Sequence, residues 1–297
     1  MMRSGLAVKC VLLALTTILS LLLPASAEPI EGYDEFAGPL SPALWVGLET
    51  NTNFAVISNT ETRRAVVQPD PLVAKRFLQL GLTSAHLGSG SDTGVAGEGR
   101  QRLRVGRDDI IAGDVVVTGF HTKVVMLSAA VTPCPTTTDA SPTRAMAHVV
   151  FVFFNDGSST GPTDATGDVF AGFNVERSST FGKIITAFIA QCANPSCSIL
   201  ANLGKAQTFT RRWAIGVPVP LVVAWDRFND RFFYTSGTEQ HVLTYGDIPL
   251  TAAAPPVRDV RDLSIRNVLP NCSTPVRAAA GARYDFMRIG TETGVFP

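Results

Sequence analysis

The chain has 297 residues, of which 45% are hydrophobic, and it carries 25 basic and 25 acidic side chains. This apolar content is ample for a buried core and excludes a disordered or low-complexity chain. The balanced charge argues against bulk binding to nucleic acid, because proteins with that function show a basic excess.

The beginning of the chain has the pattern of a secretory signal peptide over residues 1–27. Arg3 and Lys9 precede an apolar run, and Ala25-Ser26-Ala27 provides a small-residue cleavage site. The remainder has no apolar stretch that approaches the roughly 20 residues of a membrane span. We therefore expect a secreted or periplasmic protein without a membrane span.

Short runs of alternating, β-branched or aromatic residues recur along the chain, separated by clusters of Gly, Pro, Asn, Asp and Ser. Many short strands with few helical patterns are typical of a β-sandwich or barrel, which can reach roughly 200–250 residues as one domain. We therefore predict a single all-β domain over residues 28–297. The predicted strands cover residues 101–105, 114–129, 144–154, 168–177, 183–192, 217–225, 231–234, 241–244, 260–268 and 283–290.

Residues 72–80 give two conflicting local signals. Asp70 and Pro71 precede the segment and Gly81 follows it, as at the two ends of a helix. The side chains of the same segment also alternate in a way that suits a strand. The local sequence leaves both structures open.

Alternation assigns the two faces of the strand predicted over residues 168–177. The core face is predicted to hold Val169, Ala171, Phe173 and Val175, and the other face to hold Phe170, Asn174 and Glu176. The strand over 144–154 is apolar on both faces except for His148. We interpret His148 as a hydrogen-bonded core residue rather than a catalytic base.

Four cysteines remain after the signal peptide, and an even number in an exported chain predicts two disulfides. A short Asn-Pro turn lies between Cys192 and Cys197, which favours a local bridge and leaves Cys134 to pair with Cys272. The alternative is a four-thiolate zinc site, for which the Cys-x4-Cys spacing lacks a matching second pair.

Three segments resemble the concanavalin A-like lectin and glucanase superfamily, which includes laminin G-like domains. Residues 34–45 are similar to its first strand, 217–235 to a Trp-Asp-turn-Arg-Phe hairpin, and 282–289 to its closing strand. The segment 154–159 also resembles one found in a group of exported bacterial proteins. The resemblance implies a jelly-roll β-sandwich of two antiparallel sheets, and it places residues 72–82 on a strand.

The chain lacks the catalytic motifs that the resemblance would lead one to seek. The Glu-x-Asp-x-x-Glu carboxylates of the glycosidases are absent, as are the Arg-x-Glu-x-Arg and Tyr-x-Lys motifs of the lyases. We therefore expect a non-catalytic binding module for a glycan or a cell-envelope polymer. The alternatives are a glycoside hydrolase or polysaccharide lyase with an unrecognised carboxylate pair, and an extracellular adhesion or scaffold protein.

The loop over residues 155–168 is the segment richest in oxygen ligands. Calcium takes six to eight oxygens, so Asp156, Asp164 and Asp168 are candidate ligands for a structural calcium ion. The alternative is an ordinary loop, because Asp, Gly, Ser and Thr are common in turns.

Sugar binding combines an aromatic platform with planar polar groups, and a second strand offers such a set. Tyr284, Phe286 and Arg288 are predicted to project together from the last strand. If this strand shares a sheet with residues 168–177, all six side chains form one glycan-binding face: Phe170, Asn174, Glu176, Tyr284, Phe286 and Arg288. The alternative is that Tyr284 and Phe286 are packing residues.

Overall fold

A computed structural model describes residues 31–36, 40–46, 60–70, 75–88, 95–113, 115–135, 142–246 and 254–293. The predicted signal peptide lies outside these residues. Within them, no helix has the length and apolar character that a membrane crossing requires.

The described part of the chain is almost entirely β-structure, with one short helix, α1 (Asp108–Ala112). The strands are β1 (Glu31–Asp34), β2 (Trp45–Val46), β3 (Thr60–Asp70), β4 (Lys75–His86), β5 (Val95–Val105), β6 (Val115–Val131), β7 (Arg144–Asn155), β8 (Asp168–Ser178), β9 (Gly182–Cys192), β10 (Leu200–Thr208), β11 (Pro218–Asp226), β12 (Arg231–Ser236), β13 (Glu239–Thr244), β14 (Arg261–Pro270) and β15 (Val276–Thr293).

The strands form two antiparallel sheets that pack into a β-sandwich. The eight-stranded sheet has the order β13-β12-β11-β6-β15-β4-β3, with β1 also paired to β15. The seven-stranded sheet has the order β10-β9-β8-β7-β14-β5-β2. The all-β sandwich of two antiparallel sheets predicted from the sequence is confirmed.

Each of the ten predicted strands overlaps a strand of the structure. The conflicting segment is strand from Lys75 onward, as part of β4, while residues 72–74 lie outside the described residues. The first strand that the resemblance implies over residues 34–45 overlaps only the end of β1 and the start of β2, and β3 and β10 were not predicted. The sequence of β10 is Leu-Ala-Asn-Leu-Gly-Lys-Ala-Gln-Thr, which lacks a clear alternation, and its place at a sheet edge requires pairing on one side only.

Aromatic rings fill the space between the sheets. Phe151 of β7 packs on Phe120 of β6, with ring centroids 4.6 Å apart. Phe153 packs on Phe232 of β12 at 4.8 Å, and Phe154 packs on Trp225 of β11 at 4.9 Å. Such pairs contribute roughly 0.5–1.5 kcal/mol each beyond the burial of their surface. The rings therefore join the two layers and set which face of β7 is buried.

Two tyrosine hydroxyls add polar links between the layers. Tyr234 of the eight-stranded sheet donates to the carbonyl oxygen of Phe188 in β9, and Tyr284 donates to that of Ser264 in β14, both at 2.7 Å. Both tyrosines are fully buried. Burial raises the pKa of each hydroxyl well above its usual value, so both stay protonated as donors.

The structure pairs the four cysteines as the sequence predicts. Cys134, which follows β6, is joined to Cys272, which follows β14, with Cα atoms 5.8 Å apart across 138 residues. Cys192 at the end of β9 is joined to Cys197, with Cα atoms 4.7 Å apart. The first bridge links the two sheets, and the second closes a tight turn.

The two bridges should differ in their effect on stability, because the entropy lost by a closed loop in the unfolded chain grows with its length. In the chain-entropy model, Cys134→Ala with Cys272→Ala should lower the free energy of unfolding by about 5 kcal/mol. Cys192→Ala with Cys197→Ala should lower it by about 2 kcal/mol. Urea titration of both double variants measures the difference, and equal losses would contradict the prediction.

Candidate functional site

A groove of about 940 Å³ lies on the outer face of the seven-stranded sheet. Strands β5, β14, β7, β8, β9 and β10 form its floor, and the turns around Ser196–Ser198 and Arg258 form part of its rim. Its polar and aromatic lining includes Glu98, Arg100, Arg102, Arg144, His148, Phe170, Asn174, Thr186, Phe188, Arg258 and Arg266. These side chains alternate along their strands with residues of the core.

Strand β8 orients its side chains as the sequence predicts. Val169, Ala171, Phe173 and Val175 lie in the core between the sheets. Phe170 and Asn174 line the groove, while Glu176, one position further along the same face, is 2% exposed. Gly172 lies between Phe170 and Asn174 on the same face. A Cβ atom at this position would come within 2.3 Å of the Val149 carbonyl oxygen. The small residue therefore permits the close approach of β7 and β8.

His148 and Phe188 form a stacked pair at the floor of the groove, in which His148 is 4% exposed and Phe188 is half-buried. Their rings are stacked, with centroids 5.5 Å apart and an interplanar angle of 4°. The His148 Nδ1 atom lies 2.6 Å from the Asn174 Oδ1 atom. Because an amide oxygen can only accept, Nδ1 donates this bond and Nε2 of the neutral ring keeps a lone pair. Burial lowers the pKa of His148 well below its usual value, and Arg100 and Arg266 lower it further.

Five arginines line the groove, against one carboxylate among the described lining residues. That carboxylate, Glu98, accepts from Arg266 through Nε at 2.7 Å and through Nη2. Its other oxygen lies 3.6 Å from Arg100 Nη2, which is beyond hydrogen-bond distance. Arg258 donates to the backbone carbonyl oxygen of Ser196. The groove lining is therefore cationic.

Two more carboxylates lie buried beside the arginines without forming close hydrogen bonds to them. Asp262 Oδ2 is 3.7 Å from Arg102 Nη1, and Glu176 Oε2 is 4.0 Å from Arg144 Nη1. Burial raises the pKa of Glu176, and Arg144 and Arg266 oppose that rise. Even with both acids counted, arginines outnumber carboxylates here.

The single face that combines the six predicted glycan-binding residues does not form. Phe170, Asn174 and Glu176 lie on β8 of the seven-stranded sheet, whereas Tyr284, Phe286 and Arg288 lie on β15 of the eight-stranded sheet. The two sets therefore lie on different layers of the sandwich. The prediction that they share one groove is wrong.

Tyr284 is also on the opposite face from the one predicted. The pairing of β15 with β6 shifts register between Tyr284 and Met287, so strict alternation is lost there. Tyr284 and Met287 both lie in the core, while Asp285 between them pairs with Lys123 at 3.1 Å. The bulge, which alternation alone cannot show, is the reason for the wrong assignment.

Phe286 and Arg288 lie on the outer face of the eight-stranded sheet. The Phe286 ring is only 9% exposed, because His121, Lys123 and Arg288 surround it. Arg288 Nη2 lies 3.3 Å from Glu35 Oε1. Phe286 is thus covered by its neighbours and offers no open platform.

The predicted calcium ligands are each engaged by protein donors. Asp164 accepts from Thr160 and Thr166, and these hydrogen bonds, that from the Thr160 hydroxyl first, lower its pKa. Asp168 accepts from Asn155 and from the backbone of 257–258. Asp156 accepts from Gln191 Nε2 at 2.5 Å.

The described residues contain no group of three or more His, Cys, Asp or Glu side chains placed to hold a metal ion. The three aspartates therefore do not converge on one centre in the described loop.

The sequence analysis missed the arginines of the groove, although a signal for them was present. Arg100, Arg102 and Arg104 alternate with Gln101 and Leu103 in β5, so all three guanidinium groups leave the same side of the strand. Arg266, which faces Arg100 across the pairing of β14 with β5, required knowledge of the sheet order.

No protein family model and no curated protein matches the chain. Solved structures do match. A GH16 protein of the Bacteroides ovatus mixed linkage glucan PUL, in complex with a product, has 9% identity, a TM-score of 0.37, and coverage of 86% of this chain and 99% of its own. The lectin UEA-II complexed with galactose has 11% identity, a TM-score of 0.29, and coverage of 76% of this chain and 92% of its own. An alginate lyase of polysaccharide lyase family 7 has 10% identity, a TM-score of 0.35, and coverage of 77% of this chain and 84% of its own.

The order of the strands by itself defines the class of fold, a sandwich of two antiparallel sheets. Identities and TM-scores this low carry no information about what the chain binds or whether it catalyses a reaction. The residues of the groove are the basis for its function.

The position of Tyr284 leads to a prediction about stability. Tyr284→Phe removes one hydrogen bond and leaves the Ser264 carbonyl without its donor, so the free energy of unfolding should fall by about 1–3 kcal/mol. Tyr284→Ala should cost about 3–5 kcal/mol, because it also opens a cavity. Urea titration measures both values. Unchanged stability in Tyr284→Phe would contradict the assignment of this hydroxyl to the core.

The burial of His148 leads to a prediction about pH. Because its folded pKa is below its unfolded value of about 6.5, only the unfolded chain takes up this proton between those two values. The stability contribution is full above pH 6.5 and is lost as the pH falls toward the folded pKa.

Between pH 7.0 and 5.5 the wild-type protein should therefore lose about 1 kcal/mol more stability than His148→Gln. Urea titration at both pH values tests this, with substitution of the half-buried His86 of β4, His86→Gln, as the control. Parallel losses in wild type and His148→Gln would contradict the prediction.

Proposed function

We propose that the protein is an exported, non-catalytic module that binds a glycan in the groove of the seven-stranded sheet. The observation that carries the proposal is a groove lining in which the half-buried Phe188 ring lies beside Asn174 and Thr186. A ring face can stack on the apolar C–H face of a sugar, while hydroxyl, amide and imidazole groups around it exchange hydrogen bonds with sugar hydroxyls.

The distribution of polar groups suits a ligand with many hydroxyls. His148 Nε2 can accept from a sugar hydroxyl, and the Thr186 hydroxyl can donate or accept. Both lie on the floor of a groove of about 940 Å³, a volume within the range typical of small-molecule sites. The size fits several sugar units of a chain rather than one.

The number of carboxylates in the groove lining favours binding over hydrolysis. Glycosidases use two carboxyl groups that flank the scissile bond. Among the described lining residues Glu98 is the one carboxylate, and both of its oxygens face arginines. An enzyme with an unrecognised carboxylate pair therefore has less support than a binding module.

Export is part of the proposal. Two disulfides are typical of proteins that fold in an oxidising compartment outside the cytoplasm. We propose that residues 1–27 direct the chain there and that residues 28–297 form the mature protein.

A groove-filling substitution tests this function. Ala206 is exposed on β10 and lines the groove, so Ala206→Trp should obstruct it without disturbing the core. Ala130 is exposed on β6 of the other sheet, and Ala130→Trp is the matched control. The mature protein is incubated with a panel of neutral and acidic polysaccharides, and both retention and release of reducing ends are measured.

Retention by the wild type and by Ala130→Trp, lost in Ala206→Trp, is the expected result. Release of reducing ends by the wild type would overturn the non-catalytic reading. Retention that survives in Ala206→Trp would place the binding surface elsewhere.

A further inference from the structure

The arginines of the groove identify the chemical class of its ligand. We propose, on the basis of the proposed function, that the bound glycan is acidic and that its carboxylate or sulfate groups pair with Arg100, Arg144 and Arg266. These three side chains lie on the adjacent strands β5, β7 and β14 of one sheet face. A chain with repeating negative charges would meet them in succession.

The first argument is that two of these guanidinium groups keep hydrogen-bond donors for a ligand. The acidic neighbours of Arg100 and Arg144 lie 3.6 and 4.0 Å away, beyond hydrogen-bond distance. A carboxylate or sulfate can accept two parallel N–H bonds from one guanidinium, and such charge-assisted bonds are stronger than neutral ones. The side chains of Arg100 and Arg144 are 22% and 36% exposed, so a ligand in the groove can reach them.

The second argument is that like charges face each other across the sheet. Arg100 and Arg266 are directly opposite in the pairing of β5 with β14. Like charges in such a pair are destabilising, and Glu98 alone bonds one of them. Arg144 adds to this repulsion, since Arg100 and Arg144 both act on Arg266 as like charges, and an anionic group bound by Arg100 and Arg144 would relieve it.

Nucleic acids also present repeated anions and stack on aromatic rings, but two features of the chain favour a glycan over a nucleic acid as the ligand. The chain as a whole carries equal numbers of acidic and basic residues, whereas binding to a phosphate backbone usually involves an extended basic surface. The two disulfides are also typical of proteins that fold in an oxidising compartment outside the cytoplasm.

The test measures the affinity of the full mature protein for matched acidic and neutral polymers. Polygalacturonate and alginate are compared with the same polymers after reduction of their carboxyl groups, and dextran sulfate is compared with dextran. Oligothymidylate serves as the nucleic-acid arm. Binding to at least one acidic polymer should exceed binding to its neutral counterpart by about tenfold or more, and should weaken as salt is added. The preferred acidic arm distinguishes carboxylate from sulfate.

The variants Arg100→Gln and Arg144→Gln should each lose about tenfold in affinity for that polymer. Arg144→Lys should recover part of the loss, because it restores the charge without the planar fork. Arg288→Gln removes the same charge from the opposite sheet and is the matched control, with no change expected. The free energy of unfolding of each variant is measured in parallel, so that a loss of fold is recognised.

Neutral and acidic polymers that bind equally well, with binding abolished in Ala206→Trp, would overturn the acidic ligand and leave the glycan-binding function in place. Retention of no polymer at all would overturn both proposals. Oligothymidylate bound as tightly as the best acidic glycan, or an equal loss in Arg288→Gln, would also overturn the assignment.

Discussion

The aromatic contact between the two sheets determines where every outward-facing side chain of the seven-stranded sheet lies. Rings of β7 and β8 meet rings of β6 and β12 in the pairs Phe151 and Phe120, Phe153 and Phe232, and Phe173 and Tyr234. Because side chains alternate across a strand, residues an odd number of positions before Phe151 in β7 or from Phe173 in β8 point outward. His148 and Asn174 are such residues. A slip of one residue in β7 or β8 would replace them with core side chains and bury polar groups between the sheets.

The burial of arginines in the groove lowers the stability of the folded protein. Burial lowers the pKa of Arg102 and of Arg266, which means that desolvation of each guanidinium is only partly offset by nearby acids. Arg102 Nε is buried with no hydrogen-bond partner among the described residues. An apolar outer face would avoid these costs. Charges kept at a cost to stability, in a groove, are characteristic of a site that binds a charged group.

The regular parts of this structure could be predicted from sequence, and the irregular parts could not. The inward set of β8 follows from alternation, since Phe173 and its neighbours repeat every second residue without interruption. The same rule failed at Tyr284, where a bulge changes which face the next residues occupy. Bulges depend on how a strand fits both of its neighbours, which a single strand's sequence does not contain.

The groove itself shows the same division. The alternating arginines of β5 are visible in the sequence, but their proximity to His148 and Asn174 follows from the order β8-β7-β14-β5. The aspartates of the 155–168 loop, by contrast, are close in sequence and yet serve separate hydrogen bonds. Sequence spacing was therefore a poor guide both to the charges that converge and to those that do not.

The short disulfide gives the groove a rigid rim at little cost to the fold. Cys197 lines the groove with a φ of 52°, a left-handed conformation that residues other than glycine seldom adopt. Its bridge to Cys192, and its backbone N–H bond to the Asn194 carbonyl at 2.9 Å, hold that conformation. Arg258 then donates to Ser196 in the same turn, so a cation of the groove is fixed against a covalently closed loop. Side chains and loops that are ordered before a ligand arrives lose less entropy on binding, so in the proposed function this bridge would lower the entropic cost of recognition in addition to stabilising the fold.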